Sequence, residues 1–156
     1  MKKFTSLIII FSFVFCTFVL SGCGGALQSE NETWRVRVLS INKSNERIID
    51  KDGSYMNPHP GAEFLIIKVK VDSKGSVQSL SPRDVTLIDK DGNVYDPAAM
   101  NTGQGFVVPD QNIMQVAIGE WDEDVEFLFG VPKGIELEIF QFQELPPITI
   151  SDLTGN

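Results

Sequence analysis

The stretch EFLIIKVKVDS, residues 63–73, decides the fold. Leu65, Ile67, Val69 and Val71 alternate with Ile66, Lys68, Lys70 and Asp72. A period of two sends successive side chains to opposite faces of a strand. β-Branched residues dominate the run, and their restricted side-chain rotation suits an extended backbone. One face is apolar throughout. The other changes from apolar at Phe64 and Ile66 to charged at Lys68 and Lys70, so the start of this strand is expected to be covered on both sides.

The same alternation extends outward in both directions. TWRVRVLSI (33–41) puts Trp34, Val36 and Val38 on one face, with Arg35 and Arg37 opposite. DVTLID (84–89) and NVYD (93–96) flank the turn DKDG and read as a hairpin. NIMQVAI (112–118), DVEFLFGV (124–131) and IELEIFQF (135–142) supply three more strands, and GFVV (105–108) and PITI (147–150) are shorter candidates. SKG, DKDG, NTGQG and VPKG punctuate these runs. Helical periodicity is nearly absent. The pattern predicts an all-β, immunoglobulin-like antiparallel β-sandwich of about seven to nine strands. A small barrel is the alternative. IIDKDGSYMNP (48–58) echoes LIDKDGNVYDP (87–97), but no further matching strands accompany it. The echo reads as one turn chemistry used twice. SYMNPHPG (54–61) reads as a loop packing Tyr55 and Met56 on the sandwich.

The beginning of the chain has another character. Lys2 and Lys3 precede an apolar run from Leu7 to Leu20, broken only by Ser12, Cys16 and Thr17, which reads as an N-terminal signal helix within an export signal over 1–22. Leu20-Ser21-Gly22-Cys23 matches the bacterial lipobox, and here the chain resembles a bacterial lipoprotein. That resemblance implies a thioether-linked diacylglyceryl group on Cys23 and cleavage between Gly22 and Cys23. Buried acyl chains contribute about 0.8 kcal/mol per CH₂, so two or three of them anchor a protein firmly. A retained membrane-spanning anchor and a Cys16–Cys23 disulfide are the alternatives. The first lacks a positive stop-transfer cluster after "SGCGG", and the second would place one partner in the discarded segment.

Residues 23–32 then form a lipidated tether, small and polar after Cys23, and residues 33–156 form the domain. Removing Lys2 and Lys3 and no acid takes the formal charge from −8 to −10. Such a balance disfavours nucleic acid as a partner and leaves anchoring to the lipid. With Cys23 acylated, no cysteine remains for a disulfide or a thiolate site. The roughly 120 residues beyond the tether suffice for one core. Gly24 is not the aspartate that retains lipoproteins at an inner membrane. The expected location is the extracytoplasmic face of the bacterial cell membrane.

Two acidic stretches are candidate sites. Asp89, Asp91 and Asn93 alternate as oxygen ligands do in a calcium loop. An EF-hand loop, however, needs glycine at its sixth position and glutamate at its twelfth. Here Gly92 stands fourth and Met100 twelfth. The competing reading is a tight hairpin in which Gly92 takes positive φ and Asp89 bonds the turn backbone. Asp50, Asp52 and Gly53 read the same way. EWDEDVE (120–126) makes Trp121, Asp122, Glu123 and Asp124 candidate interaction residues, against a solvated turn with Trp121 capping the core edge.

His59 is the only histidine and sits between two prolines, without a second ligand beside it. No G-x-S-x-G elbow and no phosphate-cradling glycine loop occurs. No cofactor and no enzymatic activity are expected.

From about residue 60 to 143 the chain also resembles the telokin-like, immunoglobulin-fold domain of bacterial surface lipoproteins, a domain of unknown function. GAEFLIIKVKVDSKGS, DVTLIDKDGNVYDP and FLFGVPKGIELEI carry the resemblance. Leu87, Asp89, Asp91, Gly92 and Tyr95 match its L-x-D-x-D-G-x-x-Y hairpin, and Phe129, Val131 and Pro132 its late strand. Asp72-Ser73 departs from it, where asparagine is common. The resemblance implies a fold and a surface location, and no catalytic residues. Two functions are therefore expected to compete. One is a non-enzymatic surface module binding a protein, an envelope polymer or a small ligand. The other is a calcium- or ligand-dependent accessory domain using an acidic loop.

Overall fold

In the computed structural model the described residues are 27–107, 114–116 and 123–153. The signal helix, Gly22 and Cys23 lie outside them. The pivotal stretch forms β5 (Ala62–Ser73), at the centre of a large antiparallel sheet. On one side it pairs with β2 (Trp34–Ser44), which is edged by β1 (Gln28–Glu30). On the other it pairs with β12 (Glu123–Pro132), followed by β9 (Pro97–Asn101) and β10 (Phe106–Val107). A smaller sheet runs in the order β14 (Ile148–Thr149), β13 (Leu137–Phe142), β7 (Val85–Asp89) and β8 (Val94–Tyr95). Two further pairs complete the described strands: β3 (Ile48–Ile49) with β4 (Tyr55–Met56), and β6 (Gln78–Leu80) with β11 (Met114–Val116).

The order β2-β5-β12-β9 against β14-β13-β7 is the ABED/GFC arrangement of immunoglobulin-type sandwiches, with β8 as an added edge. The two sheets stay separate, so the barrel alternative does not hold. The described strands number fourteen, more than the seven to nine expected. Five of them were not read from the sequence: β1, β3, β4 and β6 span only two or three residues, too short for periodicity to register, and β9 (PAAMN) does not alternate.

Alternation dictates the core. Leu65, Ile67, Val69 and Val71 face inward against Val125, Phe127, Phe129 and Val131 of β12, and all are buried. Aromatic rings join the sheets. Phe127 of β12 lies 6.3 Å from Phe140 of β13, and Trp34 of β2 meets Phe142 edge-on at 5.3 Å. Such ring pairs stabilise by about 0.5–1.5 kcal/mol beyond their burial.

The outer face of the large sheet divides as its sequence does. Its upper half carries a second small core of Phe64, Ala99, Phe106 and Leu128, against which Ile48, Met56 and Ile66 pack. The start of β5 is thus covered on both sides. Its lower half is a charged ladder, in which Lys68 reaches Asp124 at 2.7 Å and Arg35 bonds the buried Asp72. Opposite charges on neighbouring strands, directly across as at Arg35 and Asp72 or diagonal as at Lys68 and Asp124, stabilise a sheet modestly.

Two features correct the expectations. The tether was expected to run to residue 32, but Gln28–Glu30 form β1, Ser29 is buried and Leu27 packs on the core. The polar composition of that stretch conceals it, because an edge strand buries few side chains. A β-bulge in β2 between Val38 and Ser40 inserts Leu39, which is left 36% exposed. The inward pattern resumes at Ile41, which packs on the core.

Candidate functional site

The calcium-like stretch folds as a hairpin organised by Asp89. The Gly92 N–H donates to the Asp89 carbonyl at 3.0 Å, and Gly92 has φ +83°, the left-handed value that closes a three-residue loop with a bulge. Asp89 is 3% exposed. Its Oδ1 accepts from the N–H groups of Asp91 (3.0 Å) and Asn93 (2.8 Å), and its Oδ2 from Asn93 Nδ2 (2.9 Å) and the Tyr95 hydroxyl (2.8 Å). The Asn93 amide holds the Asp89 carboxyl below its ordinary value against the opposing effect of burial, with Tyr95 and the turn N–H groups adding to it. Burial first, and Asp89 second, push the Tyr95 hydroxyl up, so it remains a donor. Asp89 is committed to the turn. Asp91 is exposed and contributes its backbone.

The echoed turn repeats this geometry. Asp50 Oδ1 accepts from Asp52 N (3.0 Å) and Ser54 N (2.8 Å), and Gly53 has φ +81°. Ile48 pairs with Met56 as Leu87 pairs with Tyr95. Among the described residues, no group of three or more His, Cys, Asp or Glu side chains is gathered for a metal.

Of the acidic run, Trp121 and Asp122 lie outside the described residues, and Glu123 begins β12 opposite Val71. Asp124 faces Lys68, whose ammonium holds its carboxyl below the usual range, with Lys70 at 3.6 Å. Glu126 accepts from Asn101 Nδ2 at 2.9 Å. Asp124 and Glu126 brace the sheet.

Besides a cleft of about 350 Å³ lined by Lys90, Asp91, Lys133 and Glu136, two others that were not foreseen lie among the described residues. The first lies on the outer face beside the β3–β4 hairpin. It measures about 270 Å³ and is lined by Met56, Pro58, His59, Ala62, Phe64 and Gly130, among others. Gly130 lies inside β12, without positive φ, and a Cβ there would meet nothing within 4 Å. Gly130→Ala is therefore expected to raise stability by about 0.4–1 kcal/mol through the entropy of the unfolded chain. A chemical denaturation curve checks it, and a loss of stability would mean that the backbone there needs glycine. On the far side of the hairpin, Ile49 and Tyr55 are exposed as a cross-strand pair, with the Arg47 guanidinium 4.3 Å from the Tyr55 ring centroid. Met56 packs as expected, but Tyr55 does not, because neighbours in a strand face opposite ways.

The second cleft, about 420 Å³, opens at the lower end of the sandwich between the β1–β2 turn, β6 and the β13–β14 turn. Asn31, Thr33, Trp34, Gln78, Gln143 and Glu144 line it. Asn31 shapes one wall, its Oδ1 accepting from the N–H groups of Thr33 and Trp34, each at 2.8 Å. Gln143 shapes the other. It is the one non-glycine residue with positive φ, +44°, among the described residues. It occupies the first central position of a turn closed by the Leu145 N–H donating to the Phe142 carbonyl at 3.0 Å. Glycine is the usual occupant of such a position, and an L-residue there costs about 1–2 kcal/mol. The turn is held by its surroundings. Gln143 N donates to the Asp84 carbonyl at 2.7 Å, and Gln141 Nε2 reaches the carbonyls of Gln143 (2.8 Å) and Leu145 (2.6 Å).

No family model matches the chain, and no curated protein matches it in sequence. Among solved structures it is similar to an uncharacterized β-sandwich protein from Clostridium difficile 630. The identity is 12% and the TM-score 0.50, over 80% of this chain and 91% of that one. At this identity the likeness is one of fold, and the chain is an antiparallel β-sandwich.

Proposed function

We propose that the chain is a lipid-anchored, extracytoplasmic binding module of the telokin-like, immunoglobulin-fold kind found in bacterial surface lipoproteins. One observation carries the reading: a positively charged start and an apolar run end at Leu20-Ser21-Gly22-Cys23, only a few residues before β1. A thioether-linked lipid on Cys23 would hold the sandwich close to the outer surface of the membrane. Support for binding rather than catalysis comes from the carboxylates, since Asp89, Asp72, Asp124 and Glu126 are each engaged in turns or cross-strand pairs.

Cys23→Ser is expected to move nearly all of the protein from the membrane fraction to the soluble one, or to leave it as uncleaved precursor. Fractionation and the mass of the N-terminal peptide read this directly. A variant that matures and sediments as the parent does overturns the anchor.

A further inference from the structure

We infer that the cleft at the lower end of the sandwich binds a neutral saccharide. The inference rests on the binding-module reading and names its ligand class. The cleft is lined by three primary amides, one hydroxyl, one carboxylate and Trp34, with no cationic side chain; Asn31 Oδ1 is engaged in its own turn and Gln78 Nε2 donates to Ser76 Oγ at 2.7 Å, which leaves Nδ2 of Asn31, Oε1 of Gln78 and the whole Gln143 amide. Amides present donors and acceptors side by side, and carboxylates accept in pairs, which matches the adjacent hydroxyls of a sugar ring. A single carboxylate without a second beside it does not make a metal site; no cation lines the cleft, and Lys74, whose ammonium donates to the Asn31 carbonyl at 2.9 Å, is paired with Glu30 at 3.1 Å, which disfavours an anion. Polar groups make up more of the wall than apolar ones, which disfavours a lipid.

The backbone supplies the second argument. At Gln143 glycine would relieve the left-handed strain, yet a long amide side chain stands there and lines the cleft. Strain of this kind persists where the surroundings over-determine it, and it gathers at binding sites. Among the described residues, the side chains of Gln143, Glu144 and Thr33 take no hydrogen bond or ion pair within the protein. Their polar groups are available, and the pinned turn presents them without an ordering cost at binding.

The test uses the full-length chain in a polyoxyethylene detergent, which carries no sugar. Chitotetraose, cellotetraose and maltotetraose are titrated by calorimetry against the parent, Gln143→Gly and Glu144→Gln. The expected result is saturable binding of at least one oligosaccharide, weakened tenfold or more in Gln143→Gly. The same variant is expected to melt about 2–4 °C higher, through release of the strain. Weaker binding with higher stability cannot come from damage to the fold. No binding of any of the three overturns the proposal, as does binding that both variants leave unchanged. The second outcome would place a ligand elsewhere on the module, and neither outcome bears on the Cys23 anchor, which is tested separately.

Discussion

Phe127→Ala is expected to destabilise the sandwich by about 3–5 kcal/mol, a large share of the 5–15 kcal/mol typical of a domain. Phe127 has no solvent exposure and lies on β12, between Ile67 of β5 and Met100 of β9. Its ring also meets Phe140 across the sandwich. Truncation removes buried apolar area and opens a cavity between two sheets whose hydrogen-bonded frames resist collapse. Urea denaturation should show a lower midpoint with an unchanged slope. A loss below about 1 kcal/mol would mean that the sheets close over the space, contrary to the packing described.

Asp89→Ala is expected to lower the melting temperature by about 5–10 °C, whereas Asp50→Ala lowers it by about 1–3 °C. The two turns share one backbone geometry and differ in burial. Asp89 accepts four hydrogen bonds, one of them from the partly buried Tyr95 hydroxyl, which alanine would leave without its partner. Asp50 accepts two from backbone N–H groups at an exposed tip, where water replaces it. Equal effects from both substitutions would show that burial of Asp89 contributes nothing.

The same carboxylate predicts a pH dependence. The folded pKa of Asp89 lies below its unfolded value, so the unfolded chain takes up the proton first on acidification. The stability Asp89 contributes is fully present above the unfolded carboxylate value, about 3.9, and is lost as pH falls through the folded value. Melting curves between about pH 5 and pH 2 should therefore fall more steeply for the parent than for Asp89→Ala. Parallel curves would assign the acid sensitivity to other carboxylates, such as Asp124 or Glu136, which Lys68 and Lys90 hold low in the same way.

What was legible in the sequence was local. Alternation over 63–73 assigned each residue of β5 its face, including the change from covered to charged outer face at Lys68. DKDG announced its turn, and Asp89 its place in it, because three residues and one side chain settle that geometry among themselves. The echo at 48–58 contained the β3–β4 hairpin in the same register, and applying the second turn's pairing to the first would have turned Tyr55 outward.

By itself, the sequence determined the longer strands, the faces they bury and the turns between them, since each is settled by neighbours along the chain. Only the tertiary structure decided the rest. It set which strands adjoin, drew Gln28–Glu30 onto the edge of β2 and folded a hairpin over the outer face. It also brought Asn31, Gln78 and Gln143 to one cleft. Those outcomes depend on contacts between residues far apart in sequence, where pairing partners compete and no local pattern names the winner. Gln143 shows the limit most clearly: nothing in QFQEL marks its middle residue as left-handed, and the Asp84 carbonyl that holds it there belongs to a distant turn.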